Sequence, residues 1–363
     1  MRTPALDIPF ATFVVGSLPR PRWVRDLIDD RIAGRVTDAE ADRLLDDAIP
    51  DAVRMQERAG LDYVSDGEWH RESYVKVFAE AVDGFERDLL AGGSSGFSTL
   101  AYPAVVRPIA AKRPIAVDEA RFLRSRSDSR ITVAVPSPYT IARRMWSAEY
   151  SSAAYSTREE FMDACVPIIQ TELRSLAEAG VDAIQLDDPW LALLVDPDYR
   201  RSEGIDDIER EIDMSVQSVN AVVEGLDHAF VSLHLCHAHF NRRHSTRGPY
   251  DLIIGALGRM NVQRFALELA TPDAGGIEAL ANFPDDKILG LGVIDHTDSN
   301  VESPGLVVER VEAAMRYVPA ERITLNPDCG FAPSSANPMD LDEAYLKLRA
   351  MTRAAGILRD RYS

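Results

Sequence analysis

The sequence predicts an α/β fold, a single (β/α)8 TIM barrel, on three observations. Eight short apolar runs alternate with amphipathic helical stretches, the pattern of a parallel sheet wrapped by helices. Residues able to do polar chemistry follow seven of those runs. A closed ring brings such strand ends together, whereas an open doubly wound sheet spreads them along an edge. One unit also repeats: helix, glycine, strand and acid run from Ala41 to Glu68 and again from Phe161 to Asp188, and Ala59-Gly-Leu-Asp62 is echoed by Ala179-Gly-Val-Asp182.

Taken in order, Phe13-Val-Val-Gly-Ser17 is apolar up to a Gly-Ser pair with Pro19 beyond, which predicts a buried first strand entering a loop. The stretch 41–59 carries Leu44, Leu45, Ala48, Ile49, Ala52 and Val53 at helical spacing, with a kink expected at Pro50 and a stop at Gly60. A second strand through Tyr63 ends in Asp66-Gly-Glu68. Residues 86–115, which include Gly92-Gly-Ser-Ser-Gly96, are expected to leave the barrel after this strand as an excursion over it. Further strands are expected at 130–136, 181–187, 230–236, 264–270, 287–294 and 322–326. Amphipathic helices at 161–179, 205–226, 304–317 and 340–355 separate or close them. No interdomain linker is visible, so residues 1–363 read as one domain.

Composition narrows the partners. A formal net charge of -18 opposes nucleic acid and anionic lipid, because the summed field repels polyanions. Three cysteines, Cys165, Cys236 and Cys329, are too few and too odd in number for a disulfide framework, which points to a reducing, cytoplasmic setting. No run is long and apolar enough to span a membrane, and small molecules remain the expected partners. Homo-oligomerisation is left open.

The chemistry is concentrated at Ser232-Leu-His-Leu-Cys236. Residues i and i+2 of a strand share a face, so His234 and Cys236 can hold one ion together. Two later strand ends offer Glu268 and Cys329. One imidazole, two thiols and a carboxylate suit tetrahedral zinc, with the oxygen ligand the one most readily exchanged. Such an ion lowers the pKa of a bound thiol and suits alkyl transfer to sulfur. Alternatively, the two cysteines are small buried apolar residues and Glu268 is structural. Glu68 and Asp187, each at a strand end, can together neutralise an ammonium group or simply face solvent.

These pieces together resemble the catalytic C-terminal barrel of cobalamin-independent methionine synthase, especially its short single-domain members. The matching stretches are Val15-Gly-Ser-Leu-Pro-Arg-Pro21, Asp66-Gly-Glu68, Pro136-Ser-Pro138, Gln185-Leu-Asp-Asp-Pro189, His234-Leu-Cys236, Glu268, Gly292-Val-Ile-Asp295 and Asn326-Pro-Asp-Cys-Gly330. The resemblance implies zinc on His234, Cys236, Glu268 and Cys329, and homocysteine on Ser17, Glu68 and Asp187. It implies methyl transfer to the homocysteine thiol to form methionine, from 5-methyltetrahydrofolate or its polyglutamate.

The chain departs from the long enzymes in places. Trp146 stands two positions from where their folate-stacking tryptophan is found, and the family's Asp-x-His reads Asp295-His296-Thr297. His296 is the candidate catalytic proton carrier, since an imidazole titrates near neutrality, and a structural histidine is the alternative. Arg242, Arg243 and Arg247 make a basic loop in an acidic protein, suited to a folate glutamate tail or merely solvated. His237 and His239 are expected to support the metal ligands or face solvent, Asp188 to bond local backbone, and Cys165 to pack in a helix. Two other readings stay open: alkylation of another thiol, as in epoxyalkane:coenzyme M transferases, and a non-catalytic zinc- or thiol-binding barrel.

Overall fold

The computed structural model describes residues 7–91, 102–332 and 339–362. Among these, β1 (Tyr63–Val64) is followed by an antiparallel pair, β2 (Val82–Ala91) and β3 (Tyr102–Ala111). Next come β4 (Arg130–Pro136), β5 (Ala183–Asp187) and β6 (Val231–Leu235). A small hairpin of β7 (His239–Phe240) and β8 (Arg243–His244) then precedes β9 (Arg264–Leu267), β10 (Ile288–Ile294) and β11 (Ile323–Pro327). Strands β1, β4, β5, β6, β9, β10 and β11 form one parallel sheet in that order, with helices between them. Every residue of these seven strands except Arg130 is buried, as expected of a parallel sheet covered on both faces.

The first strand is shorter than the sequence suggests. Only residues 11–13 pair, yet they bond to both edges of the sheet and so curl it toward a ring. Phe13 N–H donates to Leu325 O and Leu325 N–H to Ala11 O, while Tyr63 N–H donates to Thr12 O. The Asp62 carboxylate fixes this join by accepting from the Thr12 N–H and hydroxyl, each at 2.8 Å, and from Arg359 of the last helix at 2.6 Å. Beyond Phe13 the chain stops being a strand because its polar groups go elsewhere: Leu18 N–H bonds Gly67 O, and Ser17 O accepts from Phe331 and Ala332.

The excursion is the β2–β3 hairpin, which begins at Val82, straight after the helix Lys76–Ala81, rather than at residue 86. It packs on the barrel wall: Ile109 N–H donates to Tyr155 Oη, and the Phe85 ring meets Phe161 edge-on. The expected Gly92–Gly96 segment lies outside the described residues.

The helices follow their sequence signals. Asp38–Ala59 is capped by Thr37, whose hydroxyl accepts from Glu40 N–H, and the helix continues through Pro50 to a left-handed Gly60 at φ +89°. Arg158–Glu178 places Cys165 in the core, as its spacing implies. At the barrel centre the buried Arg264 guanidinium bonds Thr324, Ser232 and Asn326 and lies 4.1 Å over the Phe13 ring. Burial pulls it down to about 9. No described helix is long and apolar enough to cross a membrane.

Candidate metal centre and substrate pocket

Strand β6 presents His234 and its neighbour Cys236 at the C-terminal end of the sheet, and the loop after β11 brings Cys329 beside them. The three donor atoms lie within 4.8 Å of one another, and all three residues are buried. The sulfurs are 3.5 Å apart, far beyond a disulfide of about 2.05 Å and close to the ~3.8 Å that two thiolates take on tetrahedral zinc. His234 Nδ1 is 3.2 Å from Ala266 O, and Nε2 has no hydrogen-bond partner among the described residues. A backbone carbonyl on Nδ1 orients the ring and leaves Nε2 as the free donor, the arrangement metal-binding imidazoles use. A hydrogen bond from Cys329 holds the Cys236 thiol well below its usual pKa, and the same bond pushes Cys329 up. These residues therefore fit a thiophilic divalent metal.

Glu268, nominated for the same ion, follows β9 and is fully buried, but its carboxylate is engaged outside the three-donor set. Oε2 accepts from His237 N–H at 2.7 Å, and Oε1 pairs with the His244 ring. Burial opposes ionisation, yet hydrogen bonds from His237 and His244 hold Glu268 well below the usual carboxylate range. In return, Glu268 overcomes burial to raise His244 to about 9.

The loop after β1 carries Glu68 at φ +59°, a left-handed conformation that costs an ordinary residue about 1 kcal/mol. It is held there from several sides: its N–H donates to Asp66 at 2.9 Å, and its carbonyl accepts from Arg20 at 2.7 Å. Gly16, at φ +123°, lies against the carboxylate, where an added Cβ would come within 3.0 Å of Oε1. That oxygen is buried without a hydrogen-bond partner among the described residues, and Arg71 stands off at 3.8 Å. Burial raises Glu68 to about 7 despite the field of Arg71.

Asp187 ends β5 in register with His234 and accepts from Gln185 at 2.9 Å. Burial raises it to about 6, against the lowering field of His234, and its charge in turn raises Glu68. The two buried carboxylates are thus close enough for the charge of Asp187 to act on Glu68, and Asp187 also feels the Cys236 sulfur. Ser17 joins this wall: the loop Cys329-Gly330 approaches so closely that a Cβ at Gly330 would lie 3.0 Å from Ser17 Oγ. Asp188, by contrast, accepts from the Thr140 and Ser215 hydroxyls as well as from local backbone at Leu191, and burial takes it to about 6.

The remaining candidates are distributed around this pocket. His237, His239 and His296 are buried, so neither His237 nor His239 faces solvent. His296 lies against His239 with ring centroids 3.9 Å apart and the rings tilted by 44°, and burial, reinforced by His239, keeps its pKa well below the usual imidazole value. His244, not singled out in the sequence, belongs to this group; the signal was His-x-Cys-His-x-His followed by a fourth histidine five residues on. The β7–β8 turn returns it, with Asn241 and Arg242 both at positive φ. Arg242 is paired with Glu343 of the last helix and Arg247 with Asp273, while Arg243 is exposed. Trp146 donates its indole N–H to Tyr155 O at 3.0 Å.

Comparison with known proteins is consistent along the whole chain. The profile of the family described as "Cobalamin-independent synthase, Catalytic domain" matches residues 10–357. A methionine synthase of Thermococcus kodakarensis is 30% identical over 359 residues, covering 98% of this chain and 95% of that protein. One of Saccharolobus solfataricus is 29% identical over 353 residues, covering 96% and 95%. Among solved structures, a B12-independent methionine synthase from Shewanella sp. W3-18-1, in complex with selenomethionine, shares the fold at a TM-score of 0.81 and 22% identity, with 98% of each chain covered.

Proposed function

The chain belongs to the cobalamin-independent synthase catalytic-domain family, and from that premise we propose that it is a methyltransferase converting homocysteine to methionine with zinc at His234, Cys236 and Cys329. The observation that carries this reading is the juxtaposition of a two-thiol, one-imidazole set with two buried carboxylates, Asp187 in register with His234 and Glu68 with an unpartnered oxygen. Zinc would lower the pKa of a substrate thiol so that it is nucleophilic at neutral pH. The resemblance supplies Glu268 as a fourth, exchangeable donor. The family match over nearly the full length supports treating residues 1–363 as one catalytic unit.

The chain's own groups do the positioning. Glu68 and Asp187 would neutralise the α-ammonium of homocysteine, and their burial makes each charge-assisted bond stronger than one in water. Ser17, on the loop joining the Glu68 and Cys329 segments, would orient the amino-acid end. The buried floor around Arg264 closes the barrel interior, so substrate would enter from the strand C-terminal end. We assign 5-methyltetrahydrofolate or its polyglutamate as donor, with Arg242 and Arg243 on the loop that would meet an anionic tail.

The test is to incubate zinc-loaded protein with homocysteine and 5-methyltetrahydrofolate mono- and triglutamate, without cobalamin, and to follow methionine by mass spectrometry. Methionine formation is expected. Its absence with every donor, alongside alkylation of coenzyme M by an epoxide, would replace this reading with a different thiol alkylation.

A further inference from the structure

His244, Glu268 and His296 form a second group of potential ligands, sharing no residue with His234, Cys236 and Cys329. Their donor atoms also lie within 4.8 Å of one another. The group is built rather than accidental. His244 Nδ1 is 3.3 Å from Asp273 Oδ2, which fixes that ring so that Nε2 points to Glu268. This is the carboxylate–histidine support that accompanies metal-binding imidazoles. Glu268 Oε2 is held by the His237 N–H, leaving Oε1 toward the two histidines.

His296 gives the independent pointer. The residue is fully buried, and neither ring nitrogen has a hydrogen-bond partner among the described residues. An imidazole always carries at least one N–H, so a ring left this way pays a desolvation cost of about 1–3 kcal/mol for the unmet donor alone. The neighbouring His239 leaves its Nδ1 unpartnered as well, with Nε2 against Gly330 O. Two imidazoles and one carboxylate thus converge, and the ring nitrogens of His296 have no partner among the described residues. A bound divalent ion would satisfy a nitrogen of His296.

We propose that His244, Glu268 and His296 bind a second divalent cation beside the thiol-lined site. Two histidines and a carboxylate select borderline first-row metals such as zinc, cobalt or iron(II) over calcium or magnesium. His296 then acts as a ligand in place of the proton carrier suggested by the sequence.

Metal-free protein titrated with Co(II) tests this, because thiolate ligation gives a sulfur-to-cobalt charge-transfer band that nitrogen and oxygen ligands do not. Wild type should take up two equivalents, only one of them producing that band. Cys236→Ser/Cys329→Ser should keep one equivalent without the band, and His244→Gln and His296→Gln should keep one with it. Asp273→Asn, at a partly exposed position, guards against misfolding of the histidine variants and should weaken only the bandless site, by roughly 10–100-fold. Saturation of wild type at one equivalent, or no change in uptake in the histidine and Asp273 variants, would overturn the proposal. Failure of the thiol-site reading would instead appear as loss of the band with the other equivalent retained.

Discussion

The sulfurs of Cys236 and Cys329 face each other at 3.5 Å although 93 positions separate them in the chain. Strand β6 supplies one and the loop after β11 the other, so the whole barrel holds the pair. Cys329→Ala should therefore lose most of its zinc while retaining the fold, since the apolar core spans the entire sheet independently of the metal. Elemental analysis with far-UV circular dichroism checks this. Full zinc occupancy in the variant would remove Cys329 from the site.

Glu68→Gln and Asp187→Asn preserve shape and remove charge. Each should weaken homocysteine binding by about 1.5–3 kcal/mol, roughly 10–150-fold, and leave zinc content unchanged. A thiol without an amino group, such as coenzyme M, should react no worse than with wild type. Equal losses for both thiols would assign these acids to the fold.

The same carboxylates set a pH dependence. In the free protein Glu68 titrates near 7 and Asp187 near 6, both raised by burial, and a bound ammonium would lower both. Homocysteine affinity should thus rise from pH 5 to about 7.5, with protons released on binding. Without ligand, the raised values favour the native state at low pH, and that contribution fades as pH climbs from 4.5 through 7 for Glu68. Calorimetry in buffers of different ionisation enthalpy reads the proton release directly; a buffer-independent enthalpy at pH 6.5 would contradict the clamp.

His70 gives a stability signal of its own. Burial alone would lower its pKa, but the Asp66 and Asp46 carboxylates, 3.4 and 3.0 Å away, raise it to about 9. A raised folded pKa stabilises fully below 6.5 and is lost as pH rises through 9. The upper limit is on the order of 3 kcal/mol. Denaturant titrations at pH 6 and 9.5 should show a steeper loss for wild type than for His70→Gln.

The basic loop should divide by residue. Arg243 is exposed, so Arg243→Ala should reduce any preference for polyglutamate over monoglutamate donor, an effect that salt also weakens. Arg242→Ala should additionally loosen the contact of the β7–β8 hairpin with the last helix, because it breaks the pair with Glu343. Protease sensitivity of the hairpin and competition binding separate the two effects.

Seven strands were legible because each is a buried apolar run with helix signals on either side, and His234, Cys236 and Cys329 because period-two spacing and strand-end position are local properties. The engagement of Glu268 was not. It depends on the β7–β8 turn folding His244 back across the sheet, and on Asp273 orienting that ring, both long-range events that no periodicity encodes. Residues 13–17 misled for the same reason: an apolar run says that a segment is buried, while the partners of Ser17 and Leu18 lie on loops distant in sequence. Asp66-Gly-Glu68 showed an acid at a strand end, but not the left-handed backbone that aims it.

The join at Thr12 also constrains the order in which the protein can be made. Residues 11–13 need Tyr63 on one side and Leu325 on the other, and Asp62 needs Arg359, so the two partners leave the ribosome far apart in time. Until then each newly formed outer strand offers an unpaired edge, the surface on which chains pair with one another. Ring closure is consequently a late step governed by long-range contacts, and slow for that reason. Substitutions at Asp62 or Arg359, far from any catalytic group, should show themselves as poor yield and aggregation during synthesis rather than as altered chemistry in the molecules that finish folding.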